Sequence, residues 1–205
     1  MVIVQTGFRL PVVSCLCLFI AFAFSAPTLA GEIFSEDFSS ATPGSKSGPG
    51  PIAGTAFSIT GGNVDIIGVL NGSFFTCDAN PGGNCLDLAG TGWGSVATGS
   101  TLQLKAGHRY EIEFAALVQG GYPPSVGLNV QVNLGDFGAE AHVYPSAQNF
   151  KLTYFPPYDQ LGVPLSFAII GSFGGGPAAS HGPVLSDISI TEFVETQFED
   201  GFEDL

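Results

Sequence analysis

Basic residues are nearly missing from this chain. Five Lys and Arg stand against eighteen Asp and Glu among 205 residues, for a formal net charge of -13. A nucleic-acid binder must cluster cations to displace counterions from phosphates, and five dispersed ones cannot do so. The same imbalance argues for solubility and against attachment to anionic membranes. Charged residues of both signs make up only 11%, and Lys, Glu and Ala are too few for a helical bundle. With 45% hydrophobic residues the chain is also too apolar for disorder. Histidine is scarce: His108, His142 and His181 are the three, and none falls at a metal-ligand spacing. What is abundant is glycine, with 29, and proline, with 14. A chain punctuated in this way reads as one all-β domain.

Residues 1–30 read as a signal peptide. Arg9 is their only charge, an apolar run follows to Ala26, and Pro27-Thr28-Leu29-Ala30 closes on a small side chain, so cleavage is expected after Ala30. A transmembrane helix needs about 20 apolar residues; this run is shorter and Pro27 interrupts it. Val12-Val13-Ser14-Cys15 imitates a lipoprotein cleavage box, but most of the apolar run lies after Cys15 instead of before it. No later segment is long and apolar enough to span a bilayer. The expected product is secreted or extracellular, with periplasm or cell surface as related destinations, and is not inserted in a membrane after cleavage. Only Cys77 and Cys85 remain in it, and in an oxidising compartment they are expected to close a turn as a disulfide. Such a ring contributes about 2–3 kcal/mol on the chain-entropy model.

Beyond a Gly/Pro/Ser-rich stretch at 41–54, expected as a loop, short β-branched and aromatic runs recur between turn residues. They are Phe57–Thr60, Val64–Leu70, Leu86–Leu88, Thr101–Leu104, Arg109–Leu117, Leu128–Leu134, Phe150–Phe155, Leu165–Ile170 and Val184–Phe193. Several alternate with a period of two. Tyr110, Ile112 and Phe114 oppose Arg109, Glu111 and Glu113, and Leu128, Val130, Val132 and Leu134 oppose Asn129, Gln131 and Asn133. Leu165–Ile170 is more continuously apolar and is expected to be covered on both sides or to lie deep in the sandwich. No sustained 3.6-residue pattern occurs, which excludes βαβ units. The pattern predicts an antiparallel β-sandwich of jelly-roll type over 31–193, a single domain. An acidic flexible tail over 194–205 follows it, since clustered like charges stay solvated.

Four pieces carry a resemblance. They are Ile33-Phe34-Ser35-Glu36-Asp37-Phe38, the run from Phe57 to Gly68, Cys85-Leu86-Asp87-Leu88-Ala89-Gly90-Thr91, and the pair Leu102–Phe114 with Val184–Ile190. In this order they resemble secreted bacterial β-jelly-roll domains, galactose-binding-like and related to carbohydrate-binding modules. Such domains are common in exported proteins with a C-terminal sorting helix of the Pro-Glu-Pro type. That helix does not occur in these residues, so display by that route is not expected. The resemblance implies a structural calcium tying the N-terminal segment to the final strand, with Glu36, Asp37 and Asp187 at the matching positions. Calcium takes six to eight oxygens, so backbone carbonyls would have to join them.

The chemistry points to binding, not to catalysis. No Gly-x-Ser-x-Gly elbow occurs in a strand–turn–helix context, and the paired cysteines leave no thiolate. Glu111 and Glu113 share a strand face, but a glycosidase pair needs a desolvated cleft that raises one pKa. The chain is therefore expected not to be an enzyme. Sugars present apolar C–H faces that aromatic rings cover, and rings beside proline lose little entropy on binding. Trp93, Tyr122 and Tyr158 are the candidate ligand residues, with a polysaccharide or surface glycan as partner. The reading is a secreted, non-catalytic carbohydrate-binding module of the cell surface or extracellular matrix. The alternatives are a structural or adhesive matrix protein without a discrete glycan site and, third, a polysaccharide hydrolase.

Overall fold

The computed structural model describes residues 29–68, 77, 83–99, 102–119, 122–176 and 181–194. The expected signal segment up to residue 28 and the acidic tail from 195 lie outside the described residues. No helix occurs among those described. The strands are β1 (Leu29–Glu36), β2 (Gly44–Ser47), β3 (Gly50–Pro51), β4 (Phe57–Gly61), β5 (Asn63–Ile67), β6 (Cys85–Asp87), β7 (Ser95–Thr98) and β8 (Leu102–Leu104). They continue as β9 (His108–Val118), β10 (Gly127–Leu134), β11 (Phe137–Val143), β12 (Gln148–Tyr154), β13 (Gln160–Val163), β14 (Leu165–Phe173) and β15 (Pro183–Val194).

Two antiparallel sheets form the sandwich. One runs β12-β9-β15-β6-β5-β2, with β1 also paired to β15; the other runs β11-β10-β14-β7-β4-β3. Successive strands swap sheets in a fixed rhythm. β6, β15, β9 and β12 lie side by side in the first sheet, and β7, β14, β10 and β11 in the second. Folding the strand series β6–β7, β9–β10, β11–β12 and β14–β15 back on itself in this way is the double Greek key of a jelly roll. β8 and β13 pair as a small separate ribbon.

The period-two pattern is what buries the core. Tyr110, Ile112 and Phe114 of β9 face Leu128, Val130, Val132 and Leu134 of β10 across the interior, all buried. Phe57 joins Phe34, Phe38 and Phe167 through ring contacts of 5.9–6.1 Å, and such pairs add to the area they bury. Cys77 and Cys85 are joined, their Cα atoms 5.7 Å apart, and pack with Ile67 and Val184 on the opposite side of the first sheet.

Two expectations need correction. The stretch at 41–54 is not all loop: β2 and β3 form within it, because backbone pairing with β5 and β4 needs no hydrophobic side chain. β14 is not covered on both faces. It alternates, and a bulge opposite Asn129/Val130 leaves Ile170 exposed. His108 opens β9, with its Nδ1 2.8 Å from Glu192 Oε1, and the Tyr110 hydroxyl donates to the same oxygen at 2.7 Å.

Candidate functional site

Topology separates the aromatic candidates. The segments after β6, β9, β11 and β14 cap one end of the sandwich, and those after β7, β10 and β12 cap the other. Trp93 follows β6 and Tyr122 follows β9, so they share an end. Trp93 is held by a bridge to Ala89 and is partly exposed. The chain passes so close to it that a Cβ on Gly62 would lie 2.1 Å from the Trp93 carbonyl. Gly62 takes φ +65, which glycine adopts without strain. Tyr122 packs partly on the core and meets the His181 ring edge-on at 5.6 Å. Tyr158 lies at the opposite end, exposed, its hydroxyl donating to Asp136. The three do not form one site.

The outer face of the second sheet brings together residues that the loop-centred reading passed over. Asn129, Gln131 and Asn133 stand in a row along β10. Register places His142 and Gly171 beside Asn129, Glu140 and Ala168 beside Gln131, and Gly138 and Ser166 beside Asn133. Beyond β14, Ala97 and Ser95 of β7 continue the last two rows. The result is a floor of Gly, Ala and Ser beside a central row of planar amides. Gln131 donates to Asn133 at 3.1 Å, and Asn133 donates to Ser166 at 3.2 Å. Asn129 Oδ1 is buried without a hydrogen-bond partner. An orphaned acceptor of this kind is unfavourable by about 1–3 kcal/mol, so it needs an explanation. At one end of the row an aromatic group stands over the sheet: Phe173 lies 5.6 Å from His142 and 5.1 Å from Tyr144. Gly127 makes room for it, since a Cβ there would meet Phe173 Cζ at 2.2 Å. The run Asn129-Val130-Gln131-Val132-Asn133 held this signal, because every outward position is an amide.

The proposed calcium positions do gather. Glu36, Asp37 and Asp187 line one depression of about 440 Å³ with Glu32, Ser35, Ile188 and Ser189. Asp187 sits at a bulge in β15 with φ 50, which turns it out of the strand's alternation. Glu36 already accepts the Phe38 and Ala56 amides at 2.8 and 2.7 Å. Asp37 accepts the Ser39 amide at 2.8 Å, which holds its carboxyl below the usual range. Among the described residues no three His, Cys, Asp or Glu side chains are grouped so as to hold a metal ion. The donors are all oxygens, as calcium prefers, but carbonyls would have to supply much of the shell.

Two carboxylate pairs behave oppositely. Glu111 and Glu113 both bind Lys151, at 2.6 and 3.1 Å, and Glu111 also pairs with Arg109. The hydrogen bond from Lys151 keeps the Glu111 carboxyl below its ordinary range, the reverse of what a general acid requires. Asp87 is different. It is 4% exposed and faces Asp65 directly across the β5–β6 ladder. Burial pushes it up to about 8, and the neighbouring Asp65 charge adds to the rise.

No family model matches the sequence, and no curated protein matches it. Among solved structures, the chain is similar to the CBM22 xylan-binding domain of a Paenibacillus barcinonensis protein. The two are 16% identical over 83% of this chain and 99% of that one, with a TM-score of 0.46. It is similar too to the C-terminal CBM6 of a marine laminarinase from Zobellia galactanivorans. There the identity is 12% over 80% and 99% of the chains, at TM-score 0.40. A Stig cyclase from Fischerella sp. matches at 15% identity over 80% and 98%, TM-score 0.43. These neighbours include binding modules and a cyclase, so the functional reading rests on this chain's own residues.

Proposed function

We propose that this protein is a secreted, non-catalytic module that binds a polysaccharide across the outer face of the β10–β14 sheet. The observation that carries the reading is the Asn129-Gln131-Asn133 row, whose Asn129 Oδ1 is buried and unpartnered beside an open floor of small residues. Planar amides match vicinal hydroxyls, and a hydroxyl donated to Asn129 would satisfy the orphan. The Phe173, His142 and Tyr144 rings supply the apolar surface that a sugar's C–H face needs. Trp93 and Tyr122 cap the same end of the sandwich as that cluster and would extend the surface toward a longer chain. Tyr158, at the far end, stands apart from it. Calcium belongs to this proposal as a structural ion in the depression that Asp37 and Asp187 line, with backbone carbonyls supplying most of the shell.

Retention on a panel of insoluble polysaccharides, with calcium and with chelator, tests the reading. One polymer is expected to retain the protein saturably, and a Gln131→Ala, Phe173→Ala variant that still melts cooperatively should lose at least tenfold in affinity. Weaker retention in chelator would assign calcium to the fold that presents the face. Undiminished binding by the variant would remove the site from this sheet, and no retention on any polymer would overturn the proposal. A hydrolase is disfavoured because Asp87, the carboxyl raised toward neutrality, is sealed from any polymer beneath the segments that follow β6 and precede β15.

A further inference from the structure

Asp87 occupies the junction of three segments. Its Oδ1 accepts the Ala89 amide at 2.8 Å, and the carboxyl also takes the backbone of Gly182. The two segments it joins are tied again by the Leu88 amide on the Pro183 carbonyl at 3.1 Å. The first segment leads through the Ala89–Trp93 bridge to the tryptophan, and the second carries His181, whose ring meets Tyr122. Opposite Asp87 stands Asp65, whose Oδ1 is buried and has no hydrogen-bond partner. Two facing carboxylates cannot satisfy each other, since both only accept.

We propose that Asp65 and Asp87 share one proton, and that this proton clasps the segments after β6 and before β15 onto the sheet. The Asp87 hydroxyl then donates to Asp65 Oδ1, which removes the orphan, while Asp87 keeps its role as acceptor for Ala89 and Gly182. When the proton leaves to solvent, two like charges face each other across the ladder with Asp87 buried, and the clasp loosens. Among the described residues, the strands paired with the two aspartates place no countercharge across from them. β15 places Val184 across from Asp87, and β2 places Ser45 across from Asp65. Lys46 pairs with Val64, on the other face.

The sign of the pH dependence follows. In the unfolded chain Asp87 ionises near pH 4, whereas in the fold it holds its proton to about 8. Between those values the native state binds one more proton than the unfolded state. The pair's contribution to stability is therefore fully present below about pH 4, declines as pH rises, and is constant above about 8.

The test compares the full chain with Asp87→Asn, which retains an acceptor for Ala89 and Gly182 and a donor toward Asp65. Urea unfolding between pH 5 and 7 should show the wild-type unfolding constant rising about tenfold per pH unit relative to Asp87→Asn. Trp93, the single tryptophan, reports the clasped segment directly. Its emission should change with a midpoint near pH 8 in the wild type and stay flat from pH 6 to 9 in Asp87→Asn. Parallel stability curves, or an emission transition that survives the substitution, would overturn the proposal. If Asp87→Asn does not fold, Asp65→Asn serves: removing the facing charge should move the emission midpoint to lower pH, and an unmoved midpoint would overturn it.

Discussion

Gly182 shows how much one hydrogen atom in place of a methyl group can decide. A Cβ there would lie 2.2 Å from Asp87 Oδ1 and 2.5 Å from the Ala89 amide nitrogen, so the junction closes only around glycine. Gly182→Ala should lower stability by about 1–3 kcal/mol through overpacking, measured by urea unfolding at pH 6. An unchanged midpoint would show that the segment can move aside. This requirement was invisible in the sequence, where Gly182 is one glycine among many. The Asp65–Asp87 contact was hidden as well, since cross-strand partners 22 positions apart are set by register, not by spacing. The outward amides of β10 were legible as outward. Their meaning depended on knowing that Gly138, Ala168 and Gly171 would leave the face beside them open.

Strands with two chemically distinct faces were readable, and strands held only by their backbone were not. β9, β10 and β15 announced themselves because alternate residues had to be apolar to reach the core. β2 and β3, built from Gly, Ser, Lys and Pro, carry no such signature. β14 misled because Leu165–Ile170 is apolar throughout, and only the bulge opposite Asn129/Val130 turns Ile170 outward. The edge strand β12 is fastened to β9 by charge as well as by its ladder. Lys151 bridges to Glu111 and Glu113, and Arg109 stacks on the Phe193 ring at 3.9 Å. Because Glu111 is held below its usual range in the fold, its contribution is present at neutral pH and disappears as pH falls through the folded value. Lys151→Met should therefore melt lower than the wild type at pH 7, with the gap closing as acid protonates Glu111. Thermal melts across pH 2–7 would show this, and a gap independent of pH would assign the loss to packing of the lysine stem.

At the scale of the molecule, exposed sheet edges decide whether the sandwich associates with itself. The strands at the ends of the two sheet orders are β12 and β2 in one and β11 and β3 in the other, and β1 pairs only with β15. They carry Lys151, Lys46, Glu140 and Pro51, the residue types that discourage edge-to-edge pairing. Light scattering should find a monomer at micromolar concentration; concentration-dependent multimers would favour the adhesive matrix reading instead. The sandwich as a class was legible from turn spacing and alternation. Which surface serves as the face for a ligand was not, because that depends on how the two sheets divide the strands. The same division gives β15 neighbours on both sides: β9 along one edge, and β6 and β1 along the other. It is the last of the fifteen described strands to be synthesised. The ribosome thus delivers β1, β6 and β9 long before the strand that joins them exists, and the first sheet stays divided into halves until nearly all of the described chain has emerged. Closure of the first sheet therefore waits on pairings between β15 and strands far earlier in the chain, the long-range contacts that form slowest in folding.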